Sequence, residues 1–286
     1  MKNCQPVGQA SVPAAPQAGK DTRSTESKTA LITGASGGIG ADLAKIFAQE
    51  GYNLVLVARG KEAMQQLANE LQAKHGTSSK ILVKDLAVPS APDEIYAELQ
   101  RENIQIDVLV NNAGIGTHGF LHETPLESTL QMVQINMVAL THLTKLFVDG
   151  MVERKSGKIL NVASTAAFQP GPLMAVYYAS KAYVLWFSEA LAEELNGTGV
   201  TVTALCPGPT RTGFQSRARM GEVSLATGKT LRMMSSETVA QAGYDGLMRG
   251  KTIVIPGLMN KTLAFSVRLS PRKLTAKIAR ALQEDR

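Results

Sequence analysis

Cysteine is almost missing from this chain. Its 286 residues hold two, Cys4 and Cys206, too few for a disulfide framework or a paired-cysteine metal site. Histidine is scarce as well. His75, His118, His122 and His142 share no metal-like spacing with acidic residues, so no metal site is expected. No run approaches the roughly 18 apolar residues that cross a bilayer. The first 27 residues lack the unbroken apolar segment of a secretory signal, which leaves a cytoplasmic location as the expectation. No Gly-x-Ser-x-Gly elbow surrounds Ser164, so the usual serine-hydrolase arrangement is excluded. No nucleic-acid motif occurs either.

What is present is an ordinary globular balance, 44% hydrophobic and 19% charged, which can build a sizeable core. Residues 1–27, rich in Ala, Pro, Gln, Ser and Thr, read as a disordered leader. From residue 28, short Val/Ile/Leu runs begin near 29, 53, 80, 107, 157, 200 and 252. They do not alternate with polar residues, as is typical of strands buried on both faces of a parallel sheet. Amphipathic helical stretches lie between them, near 38–50, 60–75, 90–103, 127–153, 173–196 and 235–249. This rhythm predicts an α/β fold: a Rossmann-like, doubly wound, seven-stranded parallel sheet with helices on both faces, in one domain over 28–257. Residues 258–286 read as a basic helical tail. Seven basic groups, from Lys261 to Arg286, stand there against Glu284 and Asp285, and carry most of the net charge of +6. Either a solvated helix or weak contact with a membrane surface fits that tail.

The first run ends in TGASGGIG, with Gly34, Gly38 and Gly40 where a strand turns into a helix. Glycine permits the tight turn and lets the backbone approach a pyrophosphate closely. The helix N-terminus behind it offers free N–H groups to the anion. No acidic side chain occurs from 53 to 61, where an NAD site usually holds the ribose hydroxyls. Arg59, with Lys61 nearby and Ser36 in the loop, suits a 2′-phosphate instead. NADP(H) is therefore expected over NAD(H).

The stretch AVYYASKAYV places Tyr177 four residues and Tyr178 three residues before Lys181. Both spacings put a phenol beside an ammonium on a helix, and spacing alone leaves the two tyrosines open.

Taken together, the motifs resemble the short-chain dehydrogenase/reductase family in its compact single-domain form. The resemblance rests on the glycine loop, on NNAG at 111–114, and on Asn136 within QINMVAL. It also rests on Ser164 thirteen residues before Tyr177, on YYASK as YxxxK, and on PGPTRT at 207–212. Together with the four-residue spacing to Lys181, it selects Tyr177. It implies hydride transfer between a nicotinamide and a carbonyl or secondary alcohol, with Tyr177 as general acid or base and Ser164 holding the substrate oxygen. Lys181 would depress the phenol pKa; a charge about 4 Å away contributes on the order of 4 kcal/mol at an effective dielectric of 20. Asn136 would position a water.

The resemblance also implies cofactor contacts at Gly34, Ser36, Gly38, Ile39, Gly40, Arg59 and Asp85, and at Asn111, Ala113 and Gly114 on the adenosine side. Tyr177 and Lys181 would meet the nicotinamide ribose, and Pro207, Gly208, Thr210 and Thr212 the carboxamide end. Residues 213–236 correspond to the family's substrate lid. Phe214, Met220, Met233 and Met234 suggest an apolar, adaptable pocket, and the tail after 257, which resembles members related to hydroxysteroid and ketoacyl reductases, implies a medium-sized apolar carbonyl substrate. Arg217, Arg219 and Arg232 are expected to face mostly water. A homodimer or homotetramer is implied, with Tyr178 packed at a subunit interface. A catalytically silent NADP(H)-binding regulatory protein is the alternative reading.

Overall fold

A computed structural model of the chain describes residues 27–218, 220 and 233–284. Most of the expected leader, the centre of the expected lid, and Arg219 and Arg232 lie outside the described residues.

The apolar runs form parallel strands β1 (Thr29–Thr33), β2 (Asn53–Ala58), β3 (Ser79–Val83), β4 (Val108–Asn111), β5 (Gly157–Val162), β6 (Val200–Leu205) and β9 (Ile253–Val254). Their order is β3-β2-β1-β4-β5-β6-β9. A second small sheet pairs β7 (Thr210–Arg211) with β8 (Met234–Ser235). The helices are α1 (Gly38–Gln49), α2 (Lys61–His75), α3 (Ala91–Arg101), α4 (Leu126–Val133), α5 (Leu140–Glu153), α6 (Ala175–Glu194), α7 (Phe214–Arg217), α8 (Ser236–Met248), α9 (Leu258–Leu269) and α10 (Arg272–Gln283).

Both faces of the sheet are covered because successive strand residues point to opposite sides. Ala30 and Ile32 pack with Leu43, Phe47 and Leu247 on one side. Leu31 packs with Ile95, Leu99 and Leu143 on the other. On the first face, Phe47 meets Tyr52 and Tyr244 edge-on, each at 5.1 Å between ring centres.

The strand order reverses between β1 and β4, which pair as Ala30 with Val108 and Ile32 with Val110. A crevice opens at the carboxyl ends of strands at such a switch point. The predicted doubly wound sheet is therefore present, and its crevice lies at the glycine loop. Its seventh strand takes only Ile253–Val254 of the apolar run that begins near 252. Pro256 and Gly257 follow Ile255, and proline has no N–H to extend the ladder.

Candidate active site

A cavity of about 720 Å³ runs from the glycine loop to the C-terminal helices. That size falls within the roughly 300–1,000 Å³ usual for small-molecule sites.

The floor of its first end is the backbone of the glycine loop. Gly34, Ser36, Gly38 and Ile39 line it as predicted, with Arg59 and Asp85 at the ends of the neighbouring strands. Gly34 and Gly38 have φ of +67° and +56°, conformations that favour glycine. A methyl on Gly37 would meet nothing within 4 Å, so this turn leaves open space at the start of α1. An open, glycine-walled helix N-terminus fits the pyrophosphate of a dinucleotide. Arg59 approaches Asp85 at 3.8 Å, and Asp85 also accepts the Ala87 N–H at 3.0 Å. Asp85 thus both fixes the turn after β3 and lines the pocket.

Two predicted contacts take other places. Gly40 does not line the cavity. A methyl there would stand 2.4 Å from the Gly34 carbonyl oxygen, so this glycine lets helix and strand pack closely. Asn111 points into the core, where its amide donates to Thr144 at 3.0 Å and to Asn161 at 2.9 Å. Asn112 takes the pocket position instead and donates to the Thr33 carbonyl at 2.8 Å. The alternation of a strand end sends one asparagine inward and the next outward. Ala113 and Gly114 line the cavity as expected, as do Pro207, Gly208, Thr210 and Thr212.

In the middle of the cavity the predicted catalytic side chains meet. Ser164, at the end of β5, begins a short turn over Thr165–Phe168, and its hydroxyl accepts the Ala166 N–H at 3.1 Å. The Tyr177 phenol lines the same stretch of the cavity, and the Ser164 hydroxyl donates to the Pro207 carbonyl at 3.4 Å. Burial pushes that phenol well above its ordinary value. Lys181, one turn further along α6, donates to the Val162 carbonyl at 2.7 Å and lies 5.9 Å from the Tyr177 ring centre. Burial pulls its pKa down to about 8. The expected lysine-lowered phenol therefore differs from this arrangement, in which the ammonium bonds to a carbonyl and desolvation dominates both groups.

Asn136 sits in a π-helical segment, Gln134–Ala139, between α4 and α5. Its amide donates to the Ile115 carbonyl at 2.9 Å and to Ser180 at 3.0 Å, and its oxygen accepts the Ile115 N–H at 3.0 Å. A methyl on Gly114 would stand 3.3 Å from Lys181 Nζ and 3.4 Å from Asn136 Oδ1. Glycine at 114 keeps that gap open.

The second end is built from side chains. Met174, Phe214 and Met220 line it, with the Phe214 ring 5.3 Å from that of Tyr177. Arg217 also lines the cavity while remaining exposed. Leu263, Ala264 and Val267 of α9 and Ile278, Ala279 and Leu282 of α10 close this end. Neither of these helices has a signature motif for such a role.

Tyr178 was expected to turn away from the site. It lines the same cavity, beside Tyr177 at 6.1 Å between ring centres. Gln283 Nε2 donates to its hydroxyl at 2.8 Å. A methyl on Gly171 would fall 2.2 Å from its ring carbons. The 100° step along α6 turns Tyr178 toward its own C-terminal helix rather than out of the chain. His118 is half-buried, and its Nε2 lies 2.8 Å from the Gln283 carbonyl oxygen. Among the described residues, no cluster of His, Cys, Asp or Glu is placed to hold a metal ion.

Comparison with known proteins agrees with this geometry. The short chain dehydrogenase family model matches residues 28–222. A very-long-chain 3-oxoacyl-CoA reductase of Anas platyrhynchos is 36% identical over 62% of this chain, and the match spans only 58% of that protein's length. The ketoacyl reductase HetN of a Nostoc species is 34% identical over 74% of each chain. Among solved structures, a short-chain dehydrogenase of Sphingobium yanoikuyae in complex with NADPH is 34% identical. It superposes with a TM-score of 0.75 and covers 85% of this chain and 93% of that one. The chain belongs to the short-chain dehydrogenase family.

Proposed function

We propose that the protein is an NADP(H)-dependent oxidoreductase that interconverts an apolar carbonyl compound of medium size and its secondary alcohol. The meeting of Ser164, Tyr177 and Lys181 in one cavity whose other end is the glycine loop carries this reading. The cofactor supplies or accepts the hydride at its nicotinamide ring.

Tyr177 gives a proton to the substrate oxygen in reduction and takes one back in oxidation. Its burial keeps the phenol protonated but makes it a weaker acid, so proton transfer needs a nearby positive charge. Lys181 remains largely cationic at neutral pH, with its pKa about 8, and its charge stabilises the phenolate as the proton leaves. The Ser164 hydroxyl orients the substrate oxygen and stabilises the negative charge developing there. Asn136 holds the chain around Ile115 and Ser180 and positions a water beside Lys181.

At the other end, the loop N–H groups and the start of α1 hold the pyrophosphate. Arg59 and Ser36 hold the 2′-phosphate, and Asp85 lies against the adenine. Pro207, Gly208, Thr210 and Thr212 meet the carboxamide. Met174, Phe214, Met220 and the tail helices receive the apolar part of the substrate. A homodimer or homotetramer is part of the reading. Exposed Trp186 on α6, Leu126 and Leu130 on α4, and Val138 beside them support it.

The test is a panel of ketones, aldehydes and alcohols followed by nicotinamide absorbance with both cofactors. Apolar ketones should turn over with NADPH, and Arg59→Ser should reduce the NADPH preference by about ten- to a hundredfold. Equal efficiency with NADH overturns the cofactor choice. Bound NADPH without turnover of any substrate overturns the reaction itself.

A further inference from the structure

We infer that α9 and α10 form a docking surface for an anionic lipid bilayer, beside the mouth of the cavity. From Gly257 to Gln283 the chain carries six basic side chains and no acidic one. Arg280 is occupied by Glu284 and by the ring of Phe120. Lys261, Arg268, Arg272, Lys273 and Lys277 have no ion pair among the described residues.

The helical period sorts the side chains. Asn260 and Ala264 of α9 are buried, and Val267 is half-buried on the same face. Leu258, Phe265 and Leu269 fall roughly opposite, and they are 80%, 61% and 77% exposed. Lys261 and Arg268 share one flank of that apolar ridge, and Met259 and Leu263 share the other. On α10, Thr275, Ala279 and Gln283 are buried. Lys273 and Lys277 lie on the outward side, with Leu274 and Ile278 between them and the cavity.

Large apolar side chains interleaved with unpaired cations match the interfacial region of an anionic membrane. There the apolar groups leave water while the charges meet headgroups. A nucleic acid would satisfy the charges and leave Leu258, Phe265 and Leu269 in water. A second copy placed face to face would oppose cation to cation. No helix of the described residues is long and apolar enough to cross a membrane, so this contact lies on the surface.

Leu263 and Ile278 both line the cavity and are about half exposed, so the mouth opens at this surface. Docking brings that mouth to the lipid, and an apolar substrate dissolved there enters without crossing water. The substrate route rests on the proposed oxidoreductase reading, whereas lipid binding does not.

The test is co-sedimentation of the full chain, without cofactor or substrate, with vesicles of phosphatidylcholine alone or mixed with phosphatidylserine. The chain should bind the mixed vesicles and bind the neutral ones far less. Lys273→Gln with Lys277→Gln should weaken binding on the order of twentyfold. Phe265→Ser with Leu269→Ser should abolish it while circular dichroism and thermal unfolding stay near those of the parent chain. Failure to bind mixed vesicles overturns the inference. So does binding that survives the Phe265/Leu269 change, or tighter binding to a DNA duplex than to the vesicles. Self-association through this face, lost in the same variants, overturns it as well.

Discussion

At the glycine-loop end of the cavity the floor is backbone with Arg59 and Asp85 at its rim, and at the α10 end the walls are side chains. The first end is fixed by the sheet itself: Gly34 N–H donates to Val57 at 2.8 Å, and the Ala113 N–H to the Thr33 hydroxyl at 3.0 Å. The second is held by Gln283 on Tyr178 and by His118 on the Gln283 carbonyl, bonds between residues 105 and 165 positions apart. A cofactor of fixed shape suits the first kind of wall. A variable substrate suits the second, which can be reshaped without disturbing the sheet. Ser164, Tyr177 and Lys181 stand at the join.

The largest effect should come at that join. Tyr177→Phe should lower turnover by about 10² to 10⁴-fold, the usual range for losing a positioned acid, with NADPH binding kept. Tyr178→Phe should cost far less, because Tyr178 touches the side-chain wall and has no proposed proton to move. Steady-state kinetics and cofactor titration of both variants check this, and equal losses would erase the distinction between the tyrosines.

Lys181 gives the next effect through pH. Its folded pKa, about 8, lies below the ordinary lysine value, so the unfolded chain binds more protons above pH 8. Stability contributed by this residue therefore rises with pH from about 8 to the ordinary value. Relative to Lys181→Met, the parent chain should gain about 3 kcal/mol across that window in denaturant unfolding. Carbonyl reduction should fall over the same rise, as the charge that stabilises the phenolate is lost. A rate that stays flat through pH 8 would remove Lys181 from that role.

Gly40 tests the backbone wall. Gly40→Ala places a methyl 2.4 Å from the Gly34 carbonyl oxygen, against a main chain that the sheet holds in place. A loss of about 2 kcal/mol in thermal unfolding is expected, together with weaker cofactor binding. Gly37→Ala, which meets nothing, should leave stability within about 0.5 kcal/mol. Equal stability of the two variants would mean that the loop is less rigidly held than its hydrogen bonds imply.

The two ends also differ in how far they could be read in the sequence. Buried parallel strands are continuous apolar runs, so the run that begins near 53 coincides with β2. The glycine loop is legible because its chemistry is local: one turn, one strand before it and one helix after. Asn111 and Asn112 were harder, since a motif does not say which of two neighbours faces inward; the ladder to β5 decides that. Tyr178 and the tail were not legible. The partners of Tyr178 and His118 are settled by where α10 returns, and no spacing within AVYYASKAYV carries that information. The helical period marked the apolar face of the tail but not what it would cover.

The smallest predicted effect concerns the bond that brings α10 back. Gln283→Leu keeps the shape of the side chain and removes both the donor to Tyr178 and a buried amide oxygen that has no partner among the described residues. Those two changes oppose each other. The net loss of stability should therefore be about 1 kcal/mol or less. The local effect should be clearer than the global one. Amide exchange in α10 should speed up by about fivefold, with exchange in β1 and β4 unchanged. The KM of an apolar ketone should rise by a similar factor while the Kd of NADPH stays the same, since only the side-chain wall has loosened. If cofactor binding weakened along with KM, the two ends would be coupled through Tyr178 and Tyr177, and the cavity would behave as one unit.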